Sequence, residues 1–154
     1  MKIRSITYFC NPGWPLDQGK LRSAGEFLAE AKSAFDAEGF EVQTTRLATV
    51  PFPRLLGKTR LGETPRLAQE MSRLLEETGI SYGALGPALP ELPVGYAVIP
   101  EAIAAAGNIF FSGLMAITIS SSSNIRAPRL MMSRWPLVGG SKVPGYMALS
   151  MAAL

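Results

Sequence analysis

Short β-branched runs and amphipathic helical patterns take turns along this chain as far as Gly113. Ile3 to Phe9 is β-branched and aromatic and reads as a strand, stopped by the turn Asn11-Pro12-Gly13-Trp14-Pro15. Leu21, Ala24, Phe27, Leu28, Ala31, Ala34 and Phe35 then recur at three- and four-residue intervals. That spacing predicts an amphipathic helix, with Asp17 as its cap and Gly39 as its left-handed terminator. Glu41 to Leu47 reads as a second strand, ended by Val50-Pro51-Phe52-Pro53, and Arg54 to Gly62 as a basic, irregular stretch. A second helix is expected from Thr64, read as its N-cap, with Pro65 in the first position. Leu67, Met71, Leu74 and Leu75 give it an apolar face, and Gly79 closes it. Ile80 to Leu85 predicts a third strand, Gly86, Pro87, Pro90 and Pro93 a rigid loop, and Ile99 to Ala106 a short helix. Ile109 to Gly113 predicts a fourth, buried strand. The order β-α-β-α-β-α-β defines an α/β body with mainly parallel strands and right-handed connections.

The regularity stops after Ala116, and the charge changes at the same point. Residues 1–116 hold 11 basic and 12 acidic side chains, a net −1. Residues 117–154 hold Arg126, Arg129, Arg134 and Lys142 and no acid, so the whole formal +3 comes from this tail. The expected division is therefore 1–116 as an α/β segment and 117–154 as an atypical basic, apolar tail. The positive pI does not predict nucleic-acid binding. Its charge lies outside the patterned part, and neither the tail nor the basic loop has the interleaved aromatics that stack bases.

Several chemistries are excluded by residue type. The chain has no His, which removes the commonest general base, the Ser-His pair and the usual zinc ligand. Cys10 is the one cysteine, so no intrachain disulfide and no thiolate cluster forms. No metal or cofactor is expected, and a reducing, cytoplasmic setting is the default. No membrane helix is expected either. The most apolar stretch, Ala102 to Ile119, is broken by Gly107, Asn108, Ser112 and Gly113.

Ligand-binding candidates sit at expected strand ends. Cys10 and Asn11 follow the first strand, and Ser112 and Gly113 follow the fourth, where parallel α/β proteins place ligands. Each has a simpler reading. Cys10 suits a buried small side chain, with no His to activate it. Trp14 suits a packed connection, and Ser112-Gly113 an ordinary strand end. Arg54, Lys58, Arg60 and Arg66 form a basic loop region that suits either an anion or solvent. Glu91 and Glu101 suit a carboxylate pair or two solvated helix ends. No Gly-x-Gly-x-x-Gly or Walker pattern follows the first strand. No catalytic residue is assigned.

Four blocks carry a family resemblance: Ile6-Thr7-Tyr8-Phe9-Cys10-Asn11-Pro12-Gly13, Thr44-Thr45-Arg46-Leu47-Ala48-Thr49, Leu85-Gly86-Pro87-Ala88, and Phe111-Ser112-Gly113-Leu114-Met115-Ala116. With them the chain resembles the N-terminal part of the domain-of-unknown-function 711 family. The resemblance implies a fold like that of pyruvate formate-lyase, a large α/β barrel of the glycyl-radical-enzyme type. The barrel is expected to be incomplete here, truncated or rearranged after Ala116. The resemblance carries no reaction. Radical catalysis is not expected, because no glycyl-radical loop is recognisable and Cys10 does not match a catalytic cysteine. Three functions stay open: an enzyme fragment, a small-molecule binding module using the strand-end loops, and an interaction protein that oligomerises through its tail.

Overall fold

A computed structural model describes residues 1–115 and the strand Met147–Met151. The first segment of chain makes two strands rather than one. They are β1, Lys2–Ile3, and β2, Ile6–Cys10. Helix α1, Gln18–Ala37, follows, and its Asp17 cap accepts a hydrogen bond from the Lys20 amide at 3.1 Å. Gly39 takes a φ of 82°, the left-handed value that glycine adopts without a Cβ clash. The second strand is also split, into β3, Glu41–Val42, and β4, Thr45–Pro51. Short helix α2, Phe52–Leu56, and a single 3-10 turn, Leu61–Glu63, occupy much of the stretch expected to be irregular. Helix α3, Thr64–Glu77, grows directly out of that turn. Thr64 is therefore not its N-cap: its buried hydroxyl donates backwards to the Leu61 carbonyl at 2.6 Å.

Strand β5, Tyr82–Ala88, runs straight through Gly86 and Pro87, the expected loop. A proline in a central strand is tolerated only at an irregularity. The register shifts on both sides of β5, between Ala48 and Pro51 of β4 and between Leu85 and Ala88 against the next strand. Helices α4, Val94–Ala97, and α5, Ile99–Ala105, lead to β6, Ile109–Met115. Strand β7, Met147–Met151, belongs to the tail and pairs antiparallel with β6, Met115 opposite Met147. The expected seam and the tail cations Arg126, Arg129, Arg134 and Lys142 lie outside the described residues.

The main sheet has the order β2-β4-β5-β6-β7, with the first four strands parallel and in chain order. β1 and β3 form a small parallel pair of their own. Because the order never reverses, every right-handed crossover puts its helix on the same face. α1, α3 and α5 therefore form one layer. Leu21, Ala24 and Leu28 of α1, Leu67, Met71 and Leu75 of α3 and Ala102 of α5 are buried against Leu47, Leu85, Ile109 and Phe111 of the sheet. The other face carries the alternate residues: Thr7 and Phe9, Arg46 and Ala48, Tyr82 and Ala84, Phe110 and Ser112. No described helix covers it, and Phe9 is 77% exposed there. A singly wound parallel sheet with helices on one side is the arrangement that also makes up the wall of an α/β barrel. The fold is α/β with mostly parallel strands, consistent with part of a barrel.

Candidate functional site

In parallel α/β sheets ligands bind along the rim at the C-terminal ends of the strands. Cys10 is the last residue of β2 on that rim. The chain then turns sharply. Asn11 Oδ1 accepts from the Gly13 amide at 3.1 Å, Gly13 has a φ of 72°, and the Asp17 amide donates to the Pro12 carbonyl at 3.0 Å. This compact turn drops the first turn of α1 beside the strand end. Lys20 and Ser23, one turn apart, then face the same space as Cys10. Tyr8, Cys10, Asn11, Asp17, Lys20 and Ser23 line an open groove of about 620 Å³. Sequence reasoning found Cys10 and Asn11 here and missed Lys20 and Ser23. Helical spacing from the Asp17 cap was the signal that points to them.

The electrostatics of the groove are mixed. Lys20 Nζ lies 3.7 Å from Asp17 Oδ2, and both side chains are about half exposed, so the pair is screened. Burial pushes the Cys10 thiol above its ordinary pKa, and the nearby Lys20 ammonium only partly offsets this. Cys10 is therefore a thiol at neutral pH, a polarisable wall rather than a primed nucleophile.

The other candidate pair lies elsewhere. Ser112 and Gly113 sit within β6, not at its end, since the strand continues to Met115. β4 and β5 separate them from β2, three strand spacings or roughly 14 Å. Gly113 meets its own protein there. A Cβ on it would lie 2.8 Å from the Tyr96 ring, and the Tyr96 hydroxyl donates to the Leu114 carbonyl. Tyr96 pins the β6 rim from above, and nothing in the local sequence announces it. Burial, with the Glu91 carboxylate next in effect, raises the pKa of its phenol.

Trp14 and the basic stretch are largely engaged within the fold. Trp14 Nε1 donates to Glu63 Oε2 at 3.0 Å, and the Arg66 guanidinium lies 5.8 Å from its ring centroid. Arg66 also pairs with Glu70 at 2.9 Å, and Arg60 Nε donates to the Leu56 carbonyl at 2.9 Å. Arg54 and Lys58 are exposed, as are Glu91 and Glu101. Among the described residues no group of three or more His, Cys, Asp or Glu could hold a metal ion. Among the same residues, no helix is long and apolar enough to cross a membrane.

No curated protein and no solved structure matches the chain. One family model does, over residues 1–132, and it passes beyond Ala116 into the start of the tail. That match covers most of the sequence and agrees with the four sequence blocks, so the chain belongs to the family described as Uncharacterised ACR, domain of unknown function 711.

Proposed function

We propose that this chain is the wall of a pyruvate formate-lyase-like barrel and binds a small polar molecule at its C-terminal rim. Cys10 and Asn11 contact the ligand, with Lys20 and Ser23 beside them, while Ser112 and Gly113 form a separate part of the rim. The observation that carries this reading is the groove itself, where a strand end and a helix start bring a thiol, an amide, a hydroxyl and an ammonium together. Lys20 is the cationic side chain among the described residues that line it, which suits a carboxylate or phosphate group on the ligand. Radical or nucleophilic catalysis at Cys10 is not part of the reading, because burial holds the thiol protonated. A single cysteine suits a reducing, cytoplasmic setting.

A thermal-shift panel of phosphates, carboxylates and sugars tests it. A binder at saturation is expected to raise Tm by about 2–4 °C or more. Lys20→Ala is expected to abolish that shift while leaving the unliganded Tm within about 1 °C, since the residue is solvent-exposed. A flat response across the whole panel, or a shift that Lys20→Ala does not reduce, would count against the groove.

A further inference from the structure

Arg54-Leu55-Leu56-Gly57-Lys58-Thr59-Arg60 holds three cations and no acid. None of these residues lines the Cys10 groove. β4 ends at Pro51 and α2 follows with no residue between, so the stretch stands beyond the C-terminal end of β4. Its leucines belong to the core, where Leu55 and Leu56 are buried with Phe52 and Pro53. Arg54, Lys58, Thr59 and Arg60 are exposed. Gly57 leaves α2 at a φ of 75°, and the Arg60 amide closes a turn by donating to the Gly57 carbonyl at 3.4 Å. Lys58 and Thr59 are the corner residues of that turn. Among the described residues, their two amides and the Thr59 hydroxyl donate to nothing.

We propose that the turn at residues 57–60 is an anion site for the phosphate monoester group of a small soluble molecule, held by the Lys58 and Thr59 amides, the Lys58 ammonium and the Arg60 guanidinium.

Arg60 is oriented before any ligand arrives. Its Nε donates to the Leu56 carbonyl at 2.9 Å in a partly buried bond, and its two Nη nitrogens meet no acceptor among the described residues. A guanidinium tied at Nε presents its remaining donors as a planar fork, which suits two oxygens of one phosphate. The nearby acids do not compete. Glu63 Oε2 accepts from Trp14 Nε1, and Glu70 pairs with Arg66. Arg54, Lys58 and Arg60 form no ion pair among the described residues. A phosphate monoester carries about −1.5 to −2 charges at neutral pH and three acceptor oxygens, which matches a crown of donors and cations better than a carboxylate does. Arg54, on the exposed side of α2, adds to the local positive field. The exposed residues of the stretch include no apolar or aromatic side chain, so it has no anchor for a lipid surface and no platform for a base. The site shares no residue with the Cys10 groove, so a failure of either leaves the other standing.

Amide-resolved NMR titration with glycerol 3-phosphate at constant ionic strength tests it. The Lys58 and Thr59 amides are expected to shift and saturate with a dissociation constant of about 1 mM or tighter, while the Lys20 and Ser23 amides stay in place. Lys58→Ala and Arg60→Ala are each expected to weaken binding about tenfold. Arg60→Lys keeps the charge and discards the fork, so it is expected to restore only part of the loss. Lys58 makes no hydrogen bond or ion pair among the described residues, so Lys58→Ala keeps the test decisive even if Arg60→Ala unfolds. No saturable shift at the turn up to about 10 mM ligand overturns the proposal. So does an equal response to acetate, or an Arg60→Lys variant that binds as the unaltered chain does, since either reduces the site to unspecific charge. Shifts centred on Lys20 and Ser23 would assign the phosphate to the groove and overturn it too. Sedimentation with phosphatidic-acid vesicles, without a response to glycerol 3-phosphate, overturns the soluble ligand.

Discussion

The two faces of the sheet are built from the same strands and meet opposite fates. On one, Leu47, Leu85, Ile109 and Phe111 are buried beneath α1, α3 and α5. On the other, Phe9, Arg46, Tyr82 and Phe110 lie under no described helix. Residue type does not separate them, since both faces hold phenylalanines. Topology does. Strands laid down in chain order with right-handed crossovers send every helix to one side. Parallel sheets are ordinarily covered on both faces, so a face under no described helix is the feature in which this sheet is consistent with part of a barrel.

Phe110 and Phe111 reduce that comparison to adjacent residues of β6. Phe111 is 1% exposed, and its ring meets Phe52 edge-on at a centroid distance of 5.6 Å. Phe110 touches Tyr82 at 5.4 Å, with the Arg46 guanidinium 6.0 Å from its ring, and stays partly exposed. Phe111→Ala removes a fully enclosed ring and is expected to cost about 3–5 kcal/mol of unfolding free energy. Phe110→Ala loses one aromatic pair and a weak cation–π contact, about 1 kcal/mol. Urea unfolding of the two variants measures both. Equal losses would mean that something covers the open face as completely as the helices cover the other.

Within the covered side, the helical layer depends on one close contact. A Cβ on Gly25 of α1 would stand 2.8 Å from Thr78 Cβ and 2.9 Å from the Thr78 carbonyl oxygen. Thr78 has little room to yield. It ends α3, with its amide and its hydroxyl both donating to the Leu74 carbonyl, at 3.1 and 2.8 Å. Alanine would gain roughly 0.5–1 kcal/mol of helix propensity over glycine. Overpacking costs roughly 1–3 kcal/mol, so the clash wins. Gly25→Ala is expected to be net destabilising by about 1 kcal/mol in the same urea experiment. A stabilised variant would show that α1 and α3 can part without loss, and that the layer is looser than its burial implies.

The helices were legible in the sequence because a 3.6-residue period is a local signal. α1 and α3 lie where Leu21 to Phe35 and Leu67 to Leu75 place them, and Gly39 ends the first as expected. The strands were legible as runs but not as pairs. The breaks around Arg4 and Gln43 come from the shift between a small two-stranded pairing and the main sheet. Gly86 and Pro87 have the composition of a loop, yet β4 and β6 hold them in a strand by shifting register. Strand order is likewise tertiary, so no spacing in the sequence shows that two strands part Cys10 from Gly113, or that Tyr96 occupies the space beside Gly113. Cys10 and Asn11 could be singled out because a strand followed by Asn-Pro-Gly is itself a local pattern.

The helical layer also has a polar tie to the small β1–β3 pair, and it is the weakest of these effects. Asp36, in the last turn of α1, accepts from Lys32 Nζ at 2.6 Å and from the Val42 amide of β3 at 3.2 Å. The Lys32 hydrogen bond first, and the Val42 amide second, hold its pKa below the ordinary 3.8. A depressed carboxylate adds stability above its unfolded-state pKa and loses it as pH falls towards the folded value. The contribution is therefore whole at neutral pH and fades below about pH 4. Asp36→Asn keeps an acceptor for Val42 and discards the charge, so its Tm should fall short of the unaltered chain at pH 7 and converge with it at acid pH. Circular dichroism melts across that range decide the matter. The deficit should also shrink in high salt, because the Asp36–Lys32 pair is largely exposed. A deficit independent of both pH and salt would mean that Asp36 joins α1 to β3 by shape alone.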